Sequence, residues 1–206
     1  MSPQTKGAAT KQRMVESMLG LVEVHGYSGT GLNTVLARSG APKGSLYFHF
    51  PEGKEQLGEL AVGLAAERFQ TLISKALQGA ESAGSTGEIV ESVVEGLSQI
   101  LEESDFTVGC PVSVVALEMG AESERLRTAC ALAYESWTLP VAEFLRGRGH
   151  GEAAARRTAS SIVSLMEGAM IVARAARDIQ PLRDAARTLR ILLDLPVSAA
   201  TDGSER

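Results

Sequence analysis

The residue types with the clearest chemical potential are concentrated in one stretch, residues 32–50, which reads LNTVLARSGAPKGSLYFHF. After a glycine turn, this stretch contains a lysine, a serine, two adjacent aromatic residues and a histidine. Such side chains combine hydrogen-bond donors, positive charge and amphipathic rings, which suit contacts with base edges and phosphates. The stretch therefore predicts contact with a nucleic acid.

The spacing of apolar residues within the same stretch favours a helix-turn-helix. Leu32, Val35 and Leu36 share one face of a short helix, and Gly40 permits a sharp turn. Leu46 and Phe50 then hold a second helix against the first. The residues predicted to face outward from the second helix are Lys43, Gly44, Ser45, Tyr47, Phe48 and His49. A plain helical hairpin with half-buried aromatic side chains is the alternative that this pattern leaves open.

Charge is distributed unevenly along the chain. The net charge of −5 over 206 residues argues weakly against a nucleic-acid-binding protein. However, residues 1–50 contain five basic and two acidic residues, a net charge of +3, and the remainder contains fifteen basic and twenty-three acidic residues, a net charge of −8. Only the N-terminal end is therefore suited electrostatically to approach DNA.

The periodicity of apolar residues predicts an all-α chain of about nine helices. Gly26 is expected to end the first helix, Thr30 or Asn33 to cap the second, and Pro140 to bend the seventh. The predicted helices are 11–24, a short helix that ends at Ser39, 43–50, 54–78, 88–103, 112–117, 122–146, 152–177 and 181–195. The sixth, an apolar run, also resembles a strand, but its helical neighbours favour a helix.

The predicted organisation is an N-terminal three-helix domain over residues 1–53, followed by a larger helical domain over residues 54–196. Residues 79–87 (GAESAGSTG) read as a loop, and residues 197–206 as a disordered tail.

Composition and motifs exclude several classes of protein. With 44% hydrophobic and 22% charged residues, the chain can bury a globular core. Cys110 and Cys130 are too few for a metal site and suit a reduced, cytoplasmic protein. We expect no secretory signal, no membrane span, no bound metal and no cofactor. The chain lacks the G-x-S-x-G, H-E-x-x-H and P-loop motifs, so we expect no enzymatic activity.

Residues 31–57 resemble the DNA-binding segment of the TetR family of transcriptional repressors. The matching residues are Ser39-Gly40, Lys43-Gly44-Ser45-Leu46-Tyr47, Phe50 and Lys54, together with the Gly26-Tyr27 turn. The PEGK segment at residues 51–54 and the later GCPV segment at residues 109–112 resemble the LmrA/YxaF-like branch. The motif resemblance covers roughly residues 10–60, and beyond them only the number and order of the helices agree.

The resemblance implies a dimer that binds a pseudo-palindromic operator in double-stranded DNA. By position, the major groove would be faced by Lys43, Gly44, Ser45 and His49. Phosphates would be held by Thr30, Tyr47 and Lys54. The last two helices, with their seven-residue apolar rhythm, would form half of a four-helix bundle between two copies.

The resemblance also implies a pocket for a small-molecule inducer in the C-terminal domain. Methionine and aromatic side chains adapt to irregular ligands. The predicted lining includes the stretch 112–119, and the polar groups expected to orient a ligand are Ser113, Glu118, Tyr134 and Trp137. The predicted ligand-binding residues are Phe106, Cys110, Ser113, Leu117, Tyr134, Trp137, Met166 and Met170. The expected ligand is small and hydrophobic or aromatic.

Two other functions remain open at this point. One is a DNA-binding regulator or architectural protein without a small-molecule inducer, which an absent cavity would favour. The other is a helical enzyme, which no motif supports.

Overall fold

A computed structural model of the chain describes residues 3–81 and 86–194. The described residues form α-helices and no strand, which confirms the all-α prediction. The helices are α1 (Pro3–Gly29), α2 (Leu32–Ser39), α3 (Ser45–His49), α4 (Lys54–Glu81), α5 (Thr86–Glu103), α6 (Pro111–Met119), α7 (Glu124–Gly147), α8 (Glu152–Ala176) and α9 (Gln180–Asp194). We call α1–α3 the head and α4–α9 the body. The predicted tail, residues 197–206, lies outside the described residues.

Several helix ends differ from the prediction. Helix α1 begins eight residues earlier, and α3 is shorter at both ends because Lys43 and Gly44 form a turn. The N-cap of α2 is Gly31, not Thr30 or Asn33. The predicted loop at residues 79–87 is largely helical at both ends, since α4 continues to Glu81 and α5 starts at Thr86. The apolar run at residues 112–117 is part of a helix, as predicted.

Gly26 interrupts the helical geometry of α1, as the sequence predicts. Its backbone has φ 76° and ψ 169°, a conformation that is essentially restricted to glycine. The side chain of Glu118 on α6 packs directly against this glycine and occupies the space that a Cβ atom would need. Both the backbone angle and the close approach of α6 therefore require glycine at this position.

Replacing Gly26 by alanine is expected to destabilise the protein by about 1–3 kcal/mol, because the new Cβ atom would strain the backbone and displace Glu118. Thermal unfolding followed by circular dichroism measures the effect. Gly63→Ala is the matched control, because Gly63 lies within α4 and no heavy atom is within 4 Å of the position that its Cβ atom would take. The control should be as stable as the wild type or slightly more stable. An unchanged melting temperature for Gly26→Ala would contradict the strain at this break in α1.

One contiguous core joins the head to the body. Its buried apolar residues run from Met14 on α1 to Leu189 on α9. Helix α4 connects the two parts, because it packs against α1 and α6 and also against α5 and α7. Leu57 on α4 and Phe50 at the end of α3 are both fully buried in this core. The position of α3 is therefore fixed relative to the body by apolar packing.

Helices α8 and α9 expose apolar side chains. The exposed residues are Leu165, Ile171, Val172, Ile191 and Leu192. Helix α8 is also long and apolar enough to cross a membrane by length and composition alone. One such helix is weak evidence for a membrane protein, because helices that pack in cores and interfaces are also apolar. Several exposed apolar residues on neighbouring helices suit contact with another protein surface.

Candidate functional site

Helix α3 is anchored by two apolar side chains that point into the core. Leu46 and Phe50 are buried, and the N–H of Phe50 donates to the carbonyl of Leu46 at 2.7 Å. The ammonium of Lys11 on α1 lies 5.9 Å from the centre of the Phe50 ring. This anchoring confirms the predicted inward residues and turns the other side of α3 toward solvent.

The turn before α3 is built around Gly40. This glycine has a left-handed backbone, with φ 62°, and ends α2. Its N–H donates to the carbonyl of Ala37, and the N–H of Ala41 donates to the carbonyl of Leu36, which is a Schellman motif. In addition, the guanidinium of Arg13 donates to the carbonyl of Ser39 at 3.1 Å. These bonds fix the direction in which the chain leaves α2 and hence the orientation of α3.

The exposed side of α3 carries two large aromatic rings. Tyr47 is 66% exposed and Phe48 is 81% exposed. The preceding turn exposes Lys43 and Gly44, and Lys43 makes no ion pair with a described residue. Gly44 has open space where a Cβ atom would lie. These groups form one continuous surface, which we call the α3 face. It consists of Lys43, Gly44, Tyr47 and Phe48.

The side chains of Ser45 and His49 are less exposed than the prediction of outward-facing residues implies. Both are half-buried, and the hydroxyl of Ser45 donates to the carbonyl of Pro42 at 2.6 Å. The ring of His49 contacts Phe48 and Phe50 edge to face, with centroid distances of 5.0 and 6.3 Å. These two side chains border the α3 face.

Thr30 and Lys54 both make contacts within the protein. Thr30 is 1% exposed and its hydroxyl donates to the carbonyl of Gly26 at 2.6 Å, so its side chain is not placed to reach a phosphate. The ammonium of Lys54 lies 4.4 Å from the centre of the Tyr27 ring. Burial lowers the pKa of Lys54, and the nearby carboxylate of Glu118 partly offsets this effect.

A hydrogen bond and an ion pair connect the body to the head and to the turn after it. The carboxylate of Glu118 on α6 accepts a hydrogen bond of 2.7 Å from the N–H of Ser28. Arg125 on α7 forms an ion pair with Glu52 in the turn after α3, with an N–O distance of 2.7 Å, and a longer one with Glu59 on α4. Movement of α6 would therefore act on the end of α1, and movement of α7 on the turn that follows α3.

The body contains a cavity that is lined almost entirely by apolar atoms, and we call it the central cavity. Helices α4, α5, α7, α8 and α9 contribute to its walls, and about 780 Å³ of space lies between the lining atoms, part of it open to solvent. Of that space, about 80 Å³ is a cavity that admits water-sized molecules. A concave apolar site of this kind suits a small ligand.

The structure distributes the predicted ligand-binding residues over several adjoining cavities. Trp137, Met166 and Met170 line the central cavity. Tyr134 packs on Trp137 edge to face, at a centroid distance of 5.3 Å, and lines an outer groove. The other predicted residues line a different groove beside α6 and α8, and they are Phe106, Cys110, Ser113 and Leu117. The stretch 112–119 does not line the central cavity, but Val112 lines a neighbouring cavity together with Cys110, Trp137 and Met170, and Leu117 is 79% exposed.

Most of the polar groups predicted to orient a ligand already have partners within the protein. The indole N–H of Trp137 donates to the carbonyl of Ala66 at 3.1 Å, and the hydroxyl of Ser113 donates to the carbonyl of Cys110 at 3.0 Å. Glu118 lies at the contact with the head. These groups are therefore not placed to orient a ligand in the central cavity.

The polar residue of the cavity wall is Glu167, which was not predicted from the sequence. One of its carboxylate oxygens, Oε2, is buried without a hydrogen-bond partner. Burial raises the pKa of Glu167. The sequence contains a pattern that could have identified Glu167. Val163, Glu167 and Met170 follow the spacing of one helix face, so Glu167 shares a face with two apolar residues.

Cys110 and Cys130 do not belong to a metal site in the part of the chain that the structure describes. Within the described ranges, no group of three or more His, Cys, Asp or Glu residues is arranged to hold a metal ion. Burial raises the pKa of both thiols, to about 11 for Cys130 and further for Cys110. Since the thiolate is the reactive form, buried thiols of this kind are inert.

Residues 19–60 match the family of bacterial regulatory proteins named tetR, and residues 86–188 match the C-terminal domain of LmrA/YxaF-like transcriptional regulators. The HTH-type transcriptional regulator LmrA of Bacillus subtilis (strain 168) is 34% identical over 173 residues, which cover 84% of this chain and 90% of LmrA. The chain belongs to the TetR family of transcriptional regulators.

Other relatives agree with this assignment. The uncharacterized HTH-type transcriptional regulator Rv0196 of Mycobacterium tuberculosis is 34% identical over 188 residues, which cover 89% of this chain and 93% of that protein. A solved TetR transcriptional regulator from Chloroflexus aurantiacus J-10-FL has a TM-score of 0.69 at 28% identity, over 91% of this chain and 95% of that chain.

Family membership makes the chain a DNA-binding transcriptional regulator and confirms the helix-turn-helix prediction. The relatives named above are transcriptional regulators, not enzymes. The regulator therefore combines the α3 face with an apolar cavity in its body.

Proposed function

We propose that this TetR-family regulator is a cytoplasmic, dimeric repressor that binds a pseudo-palindromic operator and releases it when a small hydrophobic or aromatic ligand binds. Residues 1–53 would form the DNA-binding domain, and residues 54–196 the ligand-binding and dimerisation domain. The observation that carries the proposal is the separation of two surfaces, the exposed α3 face at the basic end and the apolar cavity within the acidic body.

The α3 face supports DNA contact because its exposed groups suit a major groove and its flanking phosphates. Lys43 and Tyr47 offer a cation and a phenol hydroxyl, and Gly44 lets the backbone come close. Exposing Phe48 to water is unfavourable unless a partner covers it. Ser45 and His49, at the border of the face, would make secondary contacts.

The exposed apolar residues of α8 and α9 support dimerisation. In a symmetric dimer, each copy would cover the same face on the other. Two recognition helices would then contact half-sites separated by about 34 Å, or one turn of B-DNA, or a multiple of that distance. The symmetry of the operator would follow from the symmetry of the protein.

The contacts of Glu118 and Arg125 support coupling between the cavity and the head. Helix α7 lines the cavity and also carries Arg125, which pairs with Glu52 beside α3. A ligand that fits the cavity better in one arrangement of α7 would favour that arrangement and change the spacing of the two heads. The largest possible fall in operator affinity is set by how much more tightly the ligand binds the new arrangement of α7 than the arrangement that binds DNA.

Selection of DNA from a random pool by the full-length protein tests the proposal. The expected result is an enriched sequence with two inverted half-sites, bound by two chains. Enrichment of an asymmetric site bound by one chain would contradict the dimeric mechanism. A ligand that occupies the cavity, with operator affinity unchanged, would favour the alternative, a DNA-binding regulator without a small-molecule inducer.

In addition to the groove contact that the family resemblance implies, we propose that the exposed ammonium of Lys43 neutralises a phosphate. Replacing Lys43 by alanine is therefore expected to weaken the salt dependence of operator binding. Each lysine–phosphate contact contributes about −0.9 to the slope of log affinity against log salt concentration, so losing two contacts in a dimer should reduce the slope by about 1.8. Fluorescence anisotropy at several salt concentrations measures the slope. Lys75→Ala, which removes an exposed lysine from α4 in the body, should leave the slope unchanged. Equal slopes for Lys43→Ala and the wild type would exclude a phosphate contact.

A further inference from the structure

A second cavity lies where the head meets the body. It is the cavity that Val112 lines together with Trp137 and Met170, and we call it the junction cavity. Leu19 and Glu23 of α1 form one side of its wall, so the head contributes to it directly. The rest of the wall comes from α4, from α5 and the loop after it, and from α6, α7 and α8. A molecule in this cavity would therefore lie between the head and the body.

The junction cavity is large enough for a small organic molecule. About 540 Å³ of it admits water-sized molecules, against about 80 Å³ of the central cavity. Pockets that bind such ligands have volumes of about 300–1,000 Å³. Most of the lining is apolar, and the side chains that belong to the walls of both cavities are Phe69, Leu97, Trp137 and Met170. The two cavities are therefore neighbours, and the junction cavity is the larger space.

The loop between α5 and α6 forms part of this wall and is connected to α8. Val108 of the loop lines the junction cavity. The guanidinium of Arg174 on α8 donates to the carbonyl of Thr107 at 2.9 Å, and Arg177, directly after α8, forms an ion pair with Asp105 at 2.6 Å. These contacts hold the loop in place, so the space exists without a ligand, as is usual for ligand pockets.

The charged side chains that line the junction cavity interact with other side chains of the protein. Burial raises the pKa of Glu23, and the guanidinium groups of Arg68 and Arg38 partly offset this effect. Glu103 accepts a hydrogen bond of 2.6 Å from the side-chain amide of Gln99. Each charged group of the wall is thus stabilised within the protein, so the wall favours an uncharged ligand.

Two aromatic side chains contribute to the apolar part of the wall. The rings of Phe69 and Trp137 lie 4.8 Å apart between centroids, and both residues line the junction cavity. The indole N–H of Trp137 donates to the carbonyl of Ala66, so the ring is available for packing rather than for hydrogen bonding. Aromatic rings pack favourably against other aromatic rings. The wall therefore suits an aromatic ligand.

We propose that the junction cavity binds an uncharged aromatic molecule, and that binding there changes operator affinity because α1 forms part of the cavity wall. The inference goes beyond the proposed function, because it does not require a ligand in the central cavity. The net charge of −8 on residues 51–206 also disfavours the approach of an anion.

Two fluorescent probes with the same aromatic framework test the charge preference in the wild-type protein. N-phenyl-1-naphthylamine is uncharged, and 8-anilino-1-naphthalenesulfonate adds a sulfonate to that framework. Both fluoresce more strongly in apolar surroundings, so titration gives their affinities. The uncharged probe is expected to bind at least about tenfold more tightly, because burying a sulfonate without a counter-charge is costly. Equal affinities, or tighter binding of the sulfonate, would contradict the uncharged ligand.

Variants that fill one cavity or the other locate the bound probe. Ala65→Met on α4 fills the junction cavity, and Val93→Phe on α5 is the matched control that fills the central cavity. Affinity for N-phenyl-1-naphthylamine should fall at least about tenfold in Ala65→Met, where the space is lost, and stay within about twofold in Val93→Phe. Val108→Phe fills the junction cavity from the loop and should weaken binding equally, so the test does not depend on the folding of one variant.

Operator binding tests the effect on the head. Saturating N-phenyl-1-naphthylamine should change the affinity of the wild type for the selected operator at least about fivefold, the lower end of typical coupling between two sites. The same concentration should change the operator affinity of Ala65→Met by less than about twofold.

The outcomes separate this inference from the proposed function. If filling the central cavity abolishes probe binding while filling the junction cavity does not, the inference is overturned and the proposed pocket in the body stands. If the uncharged probe does not bind the wild type, or binds the junction cavity without changing operator affinity, the inference is overturned as well.

Discussion

Replacing Gly44 by alanine is expected to lower operator affinity at least about tenfold without destabilising the protein. Gly44 has φ −69° and ψ −16°, which any residue adopts, and no heavy atom lies within 4 Å of the position that a Cβ atom would occupy. Nothing within the described part of the chain therefore requires glycine at this position.

The expected loss arises at the DNA. A methyl group at residue 44 would lie on the α3 face, between Lys43 and the exposed Tyr47, where the backbone is proposed to approach the major groove. Loss of one well-placed contact with a base costs about 1–3 kcal/mol, and a dimer would lose it twice. Fluorescence anisotropy on the selected operator, at fixed salt concentration, measures the affinity.

The control for Gly44→Ala is a glycine that is equally free of neighbours but remote from α3. Gly63→Ala on α4 meets this condition and should leave operator affinity within about twofold. Circular dichroism should give melting temperatures for both variants that are no lower than that of the wild type. If Gly44→Ala bound the operator as tightly as the wild type, the proposed close approach of the backbone at residue 44 to the major groove would be wrong.

Replacing Ile191 by glutamate is expected to break the dimer and to reduce operator affinity about a hundredfold or more. Ile191 lies on α9 and is 67% exposed, so a charge there costs little in an isolated chain. In a four-helix bundle between two copies, the same charge would be buried without a partner. Once the two heads are no longer linked, the second half-site loses the gain of about 10²–10⁴ that linkage provides.

Leu132→Glu is the matched control for Ile191→Glu. Leu132 is 66% exposed, almost the same fraction, but it lies on α7 and not on α8 or α9. Sedimentation equilibrium should give a monomer for Ile191→Glu and a dimer for Leu132→Glu. Operator affinity should fall for Ile191→Glu and stay close to that of the wild type for Leu132→Glu. A dimeric Ile191→Glu protein, or a monomeric Leu132→Glu protein, would show that the interface lies elsewhere.

The helix-turn-helix could be derived from the sequence because its determinants are local. Leu46 and Phe50 are four residues apart on one helix, and Gly40 follows α2 directly, so spacing alone separates inward from outward residues. The role of Thr30 could not be derived in this way. Its hydroxyl is bound to the carbonyl of Gly26, and that bond depends on the break in α1.

The cavity was only partly predictable, because residues from five helices form its wall. Trp137, Met166 and Met170 were named from residue type, and they do line the central cavity. The stretch 112–119 was named by its apolar composition, which cannot distinguish the cavity from the core or from a surface groove. Glu167 was overlooked for the opposite reason, since an acidic residue in a helix is usually exposed.

The sequence by itself determined the helical class, the basic N-terminal end and the α3 face, because each depends on composition or on residues within two helical turns. Tertiary structure alone decided that head and body share one core, that Glu118 and Arg125 join them, and that Glu167 lies in the cavity. These contacts connect residues about 50 to 100 positions apart, as with Glu118 and Ser28 or Arg125 and Glu52. Periodicity along one helix carries no information about which distant helix packs against it.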